Sequence, residues 1–147
     1  MLGRLCTWCR ILGIDTVFST TASDTEMLER AKSEDRVLAT MDRELVERCA
    51  KNKIRCVSIA SKKTEEQIAQ IIKELGVPIN FPNDMLCPVC NGEMKEAKAI
   101  ELGGVVPDDV LAKSPRFWRC ASCGKIYWEG SHWRNMLKFY EKVRALL

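Results

Sequence analysis

The sequence has only one histidine, His132, so any metal site it builds must rest on cysteines and carboxylates. It has no apolar run near the ~20 residues that a membrane-spanning helix needs. The first stretch carries Arg4 and Arg10 among apolar residues, and is too short and too interrupted for a signal peptide. No repeats or low-complexity tracts occur. The apolar and charged fractions, 46% and 29%, are those of a folded globular protein and exclude a disordered chain. Nor is there much charge of one sign. The net charge of +3 is too modest to argue for nucleic acid, and four metal-bound thiolates would offset it. Without an export signal the expected location is the cytoplasm.

What the chain does have is cysteine, eight in 147 residues. In a reducing compartment these read as metal ligands and small core residues rather than disulfides. Cys87-Pro-Val-Cys90-Asn-Gly and Cys120-Ala-Ser-Cys123-Gly are two matching knuckles. Two residues between thiolates let both sulfurs face one ion, and the following Asn or Gly accepts the turn that aims backbone amides at sulfur. Together they supply the four ligands of a closed, structural zinc site. With 29 residues between Cys90 and Cys120, an excursion is expected through Gly103-Gly104 and Pro107. The other four cysteines read differently. Cys6-Thr-Trp-Cys9 has redox-motif spacing, but its sulfurs fall on or beside an apolar helix face, where packing is the better reading. Cys49 and Cys56 read as small core residues. A second zinc site from Cys6, Cys9, Cys49 and Cys56 is the alternative.

The region before the knuckles alternates short apolar segments with helical ones. Leu5, Trp8, Cys9 and Leu12 mark one face of a first helix, which Gly13 ends. Strands are expected at 15–19, 36–40 and 54–59, and helices at 24–32, 42–51 and 64–75. Ser23 with Glu26 and Thr64 with Gln67 fit capping boxes, Asp42 fits an N-cap, and Gly76 a C-terminal stop. This alternation predicts an α/β fold with a parallel sheet covered by helices. A Pro- and Asn-rich stretch, residues 77–84, marks a linker, with a boundary near residue 83: a first domain over 1–83 and a zinc ribbon with a C-terminal helix over 84–147. That helix, 131–147, should present Trp133, Met136, Leu137, Tyr140 and Val143 along one side.

Asp24, Glu26 and Asp42 follow expected strands. In a parallel sheet the strand-to-helix turns gather at the carboxyl edge, where ligands bind. Carboxylates there suit Mg²⁺ or Mn²⁺, which can activate water and neutralise a phosphate under in-line attack. The plainer reading is that all three acids serve helix caps and first turns. One carboxylate can do both.

The order Met1-Leu-Gly-Arg-Leu-x-x-Trp-x-Arg-x-Leu-Gly-x-Asp15, then Val37-Leu-x-Thr40-x-Asp42-Arg-Glu-Leu45, Cys87-Pro-Val-Cys-Asn-Gly, and Phe117-Trp-Arg-Cys-x-x-Cys-Gly-Lys-x-Tyr-Trp-x-Gly-Ser-His132-Trp-Arg134 resembles the Mut-seven C-terminal RNase domain family. The resemblance spans essentially the whole chain. It implies a PIN-like nuclease fold joined to a zinc ribbon, with acids binding a divalent metal for RNA hydrolysis. Asp42 falls on the acid of the Thr-x-Asp segment, and Asp24 with Glu26 on the acidic segment opening the earlier helix. The resemblance also implies a strand ending in aspartate before the Met-Leu-Gly-Arg-Leu segment. Here that segment comes first, so the sheet is expected to lack its first strand, and Met1 is expected to be a miscalled start.

Arg4, Arg10, Arg43, Arg119, Lys125, His132 and Arg134 are candidate RNA contacts, with Trp118, Tyr127, Trp128 and Trp133 interleaved. At least two of the tryptophans are expected in the ribbon's core, and His132 is not expected to ligate zinc. The alternatives to a ribonuclease are a binding module holding RNA or protein without cutting, and a toxin partnered by an antitoxin.

Overall fold

A computed structural model of the chain describes residues 2–147. Met1, on which the expectation of a miscalled start rests, lies outside the described residues. The first half runs α1 (Gly3–Ile11), α2 (Asp24–Ser33), β1 (Leu38–Thr40), α3 (Arg43–Lys51), β2 (Cys56–Ser58) and α4 (Thr64–Leu75). The second half contains β3 (Met94–Ala97), a 3₁₀ turn (Ala99–Leu102), α5 (Asp108–Lys113), β4 (Phe117–Cys120), β5 (Ile126–Trp128) and α6 (Ser131–Ala145).

The parallel α/β arrangement expected from the alternation is present. β1 and β2 pair in parallel, with Leu38 opposite Cys56 and Thr40 opposite Ser58. A strand expected at 15–19 does not form: the segment runs without regular structure. A strand needs a neighbour to take its backbone hydrogen bonds, and among the described residues none pairs with this segment. Instead Asp15 is gripped by Arg36, the Thr16 amide donates to Asn91 Oδ1 at 3.1 Å, and Val17 and Phe18 are left exposed. A groove of about 1110 Å³ separates this segment from the free edge of β1, with Leu5, Cys9, Leu38 and Ile71 in its wall.

Helix ends follow local chemistry. Ser23 and Glu26 form the expected capping box, with Glu26 Oε2 accepting from the Ser23 amide at 2.7 Å and Ser23 Oγ accepting from the Glu26 amide at 3.2 Å. Gly76 closes α4 in the left-handed conformation, φ 61°. The box expected from Thr64 and Gln67 is absent: Lys63 is the N-cap residue, and the Gln67 side-chain amide donates to the Ser61 carbonyl at 2.8 Å.

β3, β4 and β5 form an antiparallel sheet in that order. The long insertion between the knuckles builds its own small core, with Leu102 and Val106 packed on Phe117. One larger core crosses residue 83. Leu5, Cys9, Ile68 and Ile72 from the first half join Phe81, Trp118, Trp133, Phe139 and Val143. α6 lies on α4, and Trp8 stacks on Phe139 with ring centroids 3.7 Å apart. Along α6, Trp133 and Val143 are buried as the periodicity requires, but Leu137 is 40% exposed and Phe139 takes the inward position. The i, i+3, i+4 stripe is wide enough to admit either, and the ring that meets Trp8 is Phe139. No helix of the described residues is long and apolar enough to cross a membrane.

Candidate metal centre and acidic sheet edge

Cys87, Cys90, Cys120 and Cys123 come together, all four sulfurs lying within 4.8 Å of one another. Cys87 and Cys123 are 3.8 Å apart and Cys90 and Cys120 3.4 Å. A tetrahedral ion with Zn–S bonds of ~2.3 Å separates its sulfurs by ~3.8 Å, so the cluster fits zinc. Asn91 and Gly124 hold φ of 68° and 77°, the left-handed turn expected after each pair. In the second knuckle the turn aims the Ser122 and Cys123 amides at Cys120 Sγ, each at 3.4 Å. Burial alone would raise the Cys120 thiol, but the Cys123 and Ser122 amides outweigh it and bring it down to about 6. That is the direction a thiolate ligand requires. Gly92 has no room for a side chain, since a Cβ there would lie 2.8 Å from Cys120 Sγ.

A strap ties the first knuckle to the other half of the molecule. Arg10 Nη1 donates to the carbonyls of Pro88 at 3.0 Å and Val89 at 3.1 Å, and its Nε to that of Thr16 at 2.9 Å. Asn91 Nδ2 donates to Asp15 Oδ1 at 2.6 Å, and Arg36 grips the same carboxylate through both terminal nitrogens. Hydrogen bonds from Arg36 and Asn91 hold the Asp15 carboxyl below its ordinary range. Arg10, named as an RNA contact, is thus engaged as a brace. Asp15, Arg36 and Asn91 were missed from sequence because their partners lie far along the chain.

The remaining cysteines do not form a second four-sulfur cluster among the described residues. Cys6 and Cys9 are buried in the α1 face, where burial pushes the Cys9 thiol up to about 12. Cys49 and Cys56 sit in a different core beside Leu28 and Leu45. Burial, and then the neighbouring Cys49, push Cys56 up to about 12. Burial in two apolar cores makes these packing residues. His132 is exposed at the start of α6 and belongs to no metal-ligand group among the described residues.

Asp42 stands just past the carboxyl end of β1. Its amide donates to the buried Thr40 hydroxyl at 3.0 Å, and its Oδ1 accepts from the Glu44 amide at 2.9 Å. The Thr-x-Asp segment is therefore a hydroxyl-pinned turn leading into a helix cap. Asp24 and Glu26 open α2. Glu26 has one oxygen in the capping box, and Asp24 lies 3.9 Å from Arg48 of α3. Arg48 also donates to Thr25 Oγ1 at 3.0 Å, so α3 and the start of α2 are held side by side. Among the described residues, no set of three acids brings its oxygens within 4.8 Å of one another. All three carboxylates are on exposed residues, open to water and ions.

Among the tryptophans, Trp118 and Trp133 stack in the core, centroids 4.5 Å apart, while Trp128 lies at the surface. Tyr127 places its hydroxyl 3.6 Å from Cys87 Sγ, and the Lys125 ammonium lies 5.5 Å from the Tyr127 ring centroid. Arg4, Arg43, Arg119 and Arg134 are exposed.

No curated protein and no solved structure matches the chain. The family model described as the Mut7-C RNAse domain matches residues 1–140. With zinc-ribbon knuckles following a parallel α/β half and that match covering nearly all of it, the chain belongs to the Mut7-C RNase domain family.

Proposed function

We propose that the chain is a metal-dependent ribonuclease working at the carboxyl edge of β1, with the ribbon as a structural zinc module. The observation that carries this is Asp42, an exposed carboxylate fixed by Thr40 at the end of a parallel strand, in a chain of an RNase family. Asp24 and Glu26 open the helix that Arg48 holds against α3. Mg²⁺ binds through one or two carboxylates, its own waters and substrate phosphates, so the three acids need not touch. When bound, Mg²⁺ or Mn²⁺ supplies an activated water and offsets charge on the phosphate under attack. The protein's part is positional. Thr40 fixes the Asp42 backbone, the Glu44 amide orients one oxygen, and the second oxygen is left for a metal. Arg43, one residue on and exposed, is placed to meet a phosphate. The substrate is RNA, and the cytoplasm, which keeps the buried thiols reduced, is the compartment.

The separation of the acids also favours a second reading, an RNA-binding module without cleavage. Incubating zinc-loaded protein with a panel of single-stranded and structured RNAs in Mn²⁺, beside Asp42→Ala, separates the two. The ribonuclease reading expects cutting that the substitution abolishes; RNA bound but left intact by the parent supports the module.

A further inference from the structure

The ribbon-sheet face turned away from the zinc site is partly covered by the insertion, where Leu102 and Val106 pack on Phe117, but beside that cover it has an exposed arrangement that the zinc site does not use. Strand register sets Lys95 directly opposite Arg119, and Arg119 opposite Ile126. Two residues along β5, Trp128 shares that face, since side chains alternate along a strand. The opposite face carries Cys120 toward the metal centre and Trp118 toward the Trp133 stack. Lys95, Arg119 and Trp128 are all exposed. Among the described residues neither Lys95 nor Arg119 has an acid within ion-pairing distance, whereas nearby Arg116 pairs with Glu96 at 3.4 Å. Like charges directly opposite on a sheet cost stability, and Trp128, although its strand partner Phe117 is buried, keeps 36% of its surface exposed. Diagonal neighbours on a sheet face lie ~7–8 Å apart, so the indole and the Arg119 head can meet one extended ligand together.

We propose that this face binds single-stranded RNA, one base stacking on Trp128 while Arg119 and Lys95 hold neighbouring phosphates. A polyanion removes the repulsion between the two cations, and a base covers the exposed indole. Stacking accepts any base, and phosphate contacts carry no sequence information. The site is therefore a sequence-tolerant grip feeding the acidic edge. It rests on the reading that RNA is the substrate, and it adds a location and a mode of contact.

The test is fluorescence anisotropy of a labelled oligouridylate against the full zinc-loaded chain carrying Asp42→Asn, which prevents cutting, across a salt series. Adding Lys95→Gln with Arg119→Gln removes two phosphate contacts. The slope of log K against log salt should become shallower by about 1.4, twice the ~0.7 per contact for single strands. Trp128→Leu should weaken binding about 5- to 150-fold with the slope unchanged, and Trp128→Phe should recover much of it. Retained zinc, read by mass spectrometry, shows that each variant is folded. Unchanged affinity and slope in the double variant overturn the proposal, as does polyglutamate displacing the RNA as well as unlabelled oligouridylate, which would mark a site for acidic protein. If the parent chain cuts RNA while these variants bind like their background, the sheet face falls and the ribonuclease stands. If the parent neither cuts nor binds, both fall.

Discussion

In the ribbon, four thiols from two loops meet within 4.8 Å, while at the acidic edge Glu26 and Asp42 each turn an oxygen to backbone amides beside their own helix starts. The two regions show two ways of placing negative charge. A knuckle is a local object: two spacer residues and one left-handed turn bring sulfurs and amides together, whatever the surrounding fold. The acidic edge is a product of topology. Asp42 comes from the turn after β1 while Asp24 and Glu26 open α2 after an irregular segment, and their separation depends on how β1, α2 and α3 are packed. In the meantime the caps keep them ordered, so the same residues serve stability and stand ready for a cation.

The sharpest way to break the comparison is at the cluster. Cys120→Ser should abolish zinc retention, seen as loss of the metal in native mass spectrometry. Because structural zinc contributes on the order of 10 kcal/mol to the folding of a small ribbon, β3–β5 should unfold with it. The stacked Trp118 and Trp133 report this as lost near-ultraviolet circular dichroism. A smaller effect is expected from Phe139→Ala, which removes the ring under Trp8 and should cost about 3–5 kcal/mol in urea denaturation. Because that core crosses residue 83, both halves should shift together in one transition; two separated transitions would show that each half folds by its own core. The smallest effect concerns the strap. Hydrogen bonds from Arg36 and Asn91 depress the Asp15 carboxyl, so its contribution is present above the ordinary aspartate range and is lost as pH falls through the lower folded value. The side chain is 61% exposed, so Asp15→Ala should cost under about 1 kcal/mol at neutral pH, and the difference from the parent should vanish in acid. Chemical denaturation at several pH values reads this directly.

The legible parts of the molecule were the ones with local causes. Both knuckles follow from two cysteines and one turn residue, α4 from its apolar period and Gly76, and α2 from Ser23 and Glu26. The segment at 15–19 reads as a strand because Val17 and Phe18 suit one, yet propensity cannot supply a pairing partner. Arg10 looks like a surface cation until the fold brings it to Pro88 and Val89, 78 and 79 residues along. Phe139 is invisible as a core residue until Trp8 is found beneath it. The acidic edge lies between these cases: the caps at Asp42 and Glu26 are written locally, but the distance between the acids is a property of packing.

The most direct test of the central claim is RNA cleavage by Asp42→Asn in Mn²⁺, with its melting temperature taken in parallel. Asparagine caps a helix as well as aspartate does but offers no charge to a cation. The account predicts an unchanged melting temperature and a loss of cleavage of about a hundredfold or more, ~2.7 kcal/mol of the barrier. Full cleavage by this variant would contradict it, leaving Asp42 a helix cap and nothing more.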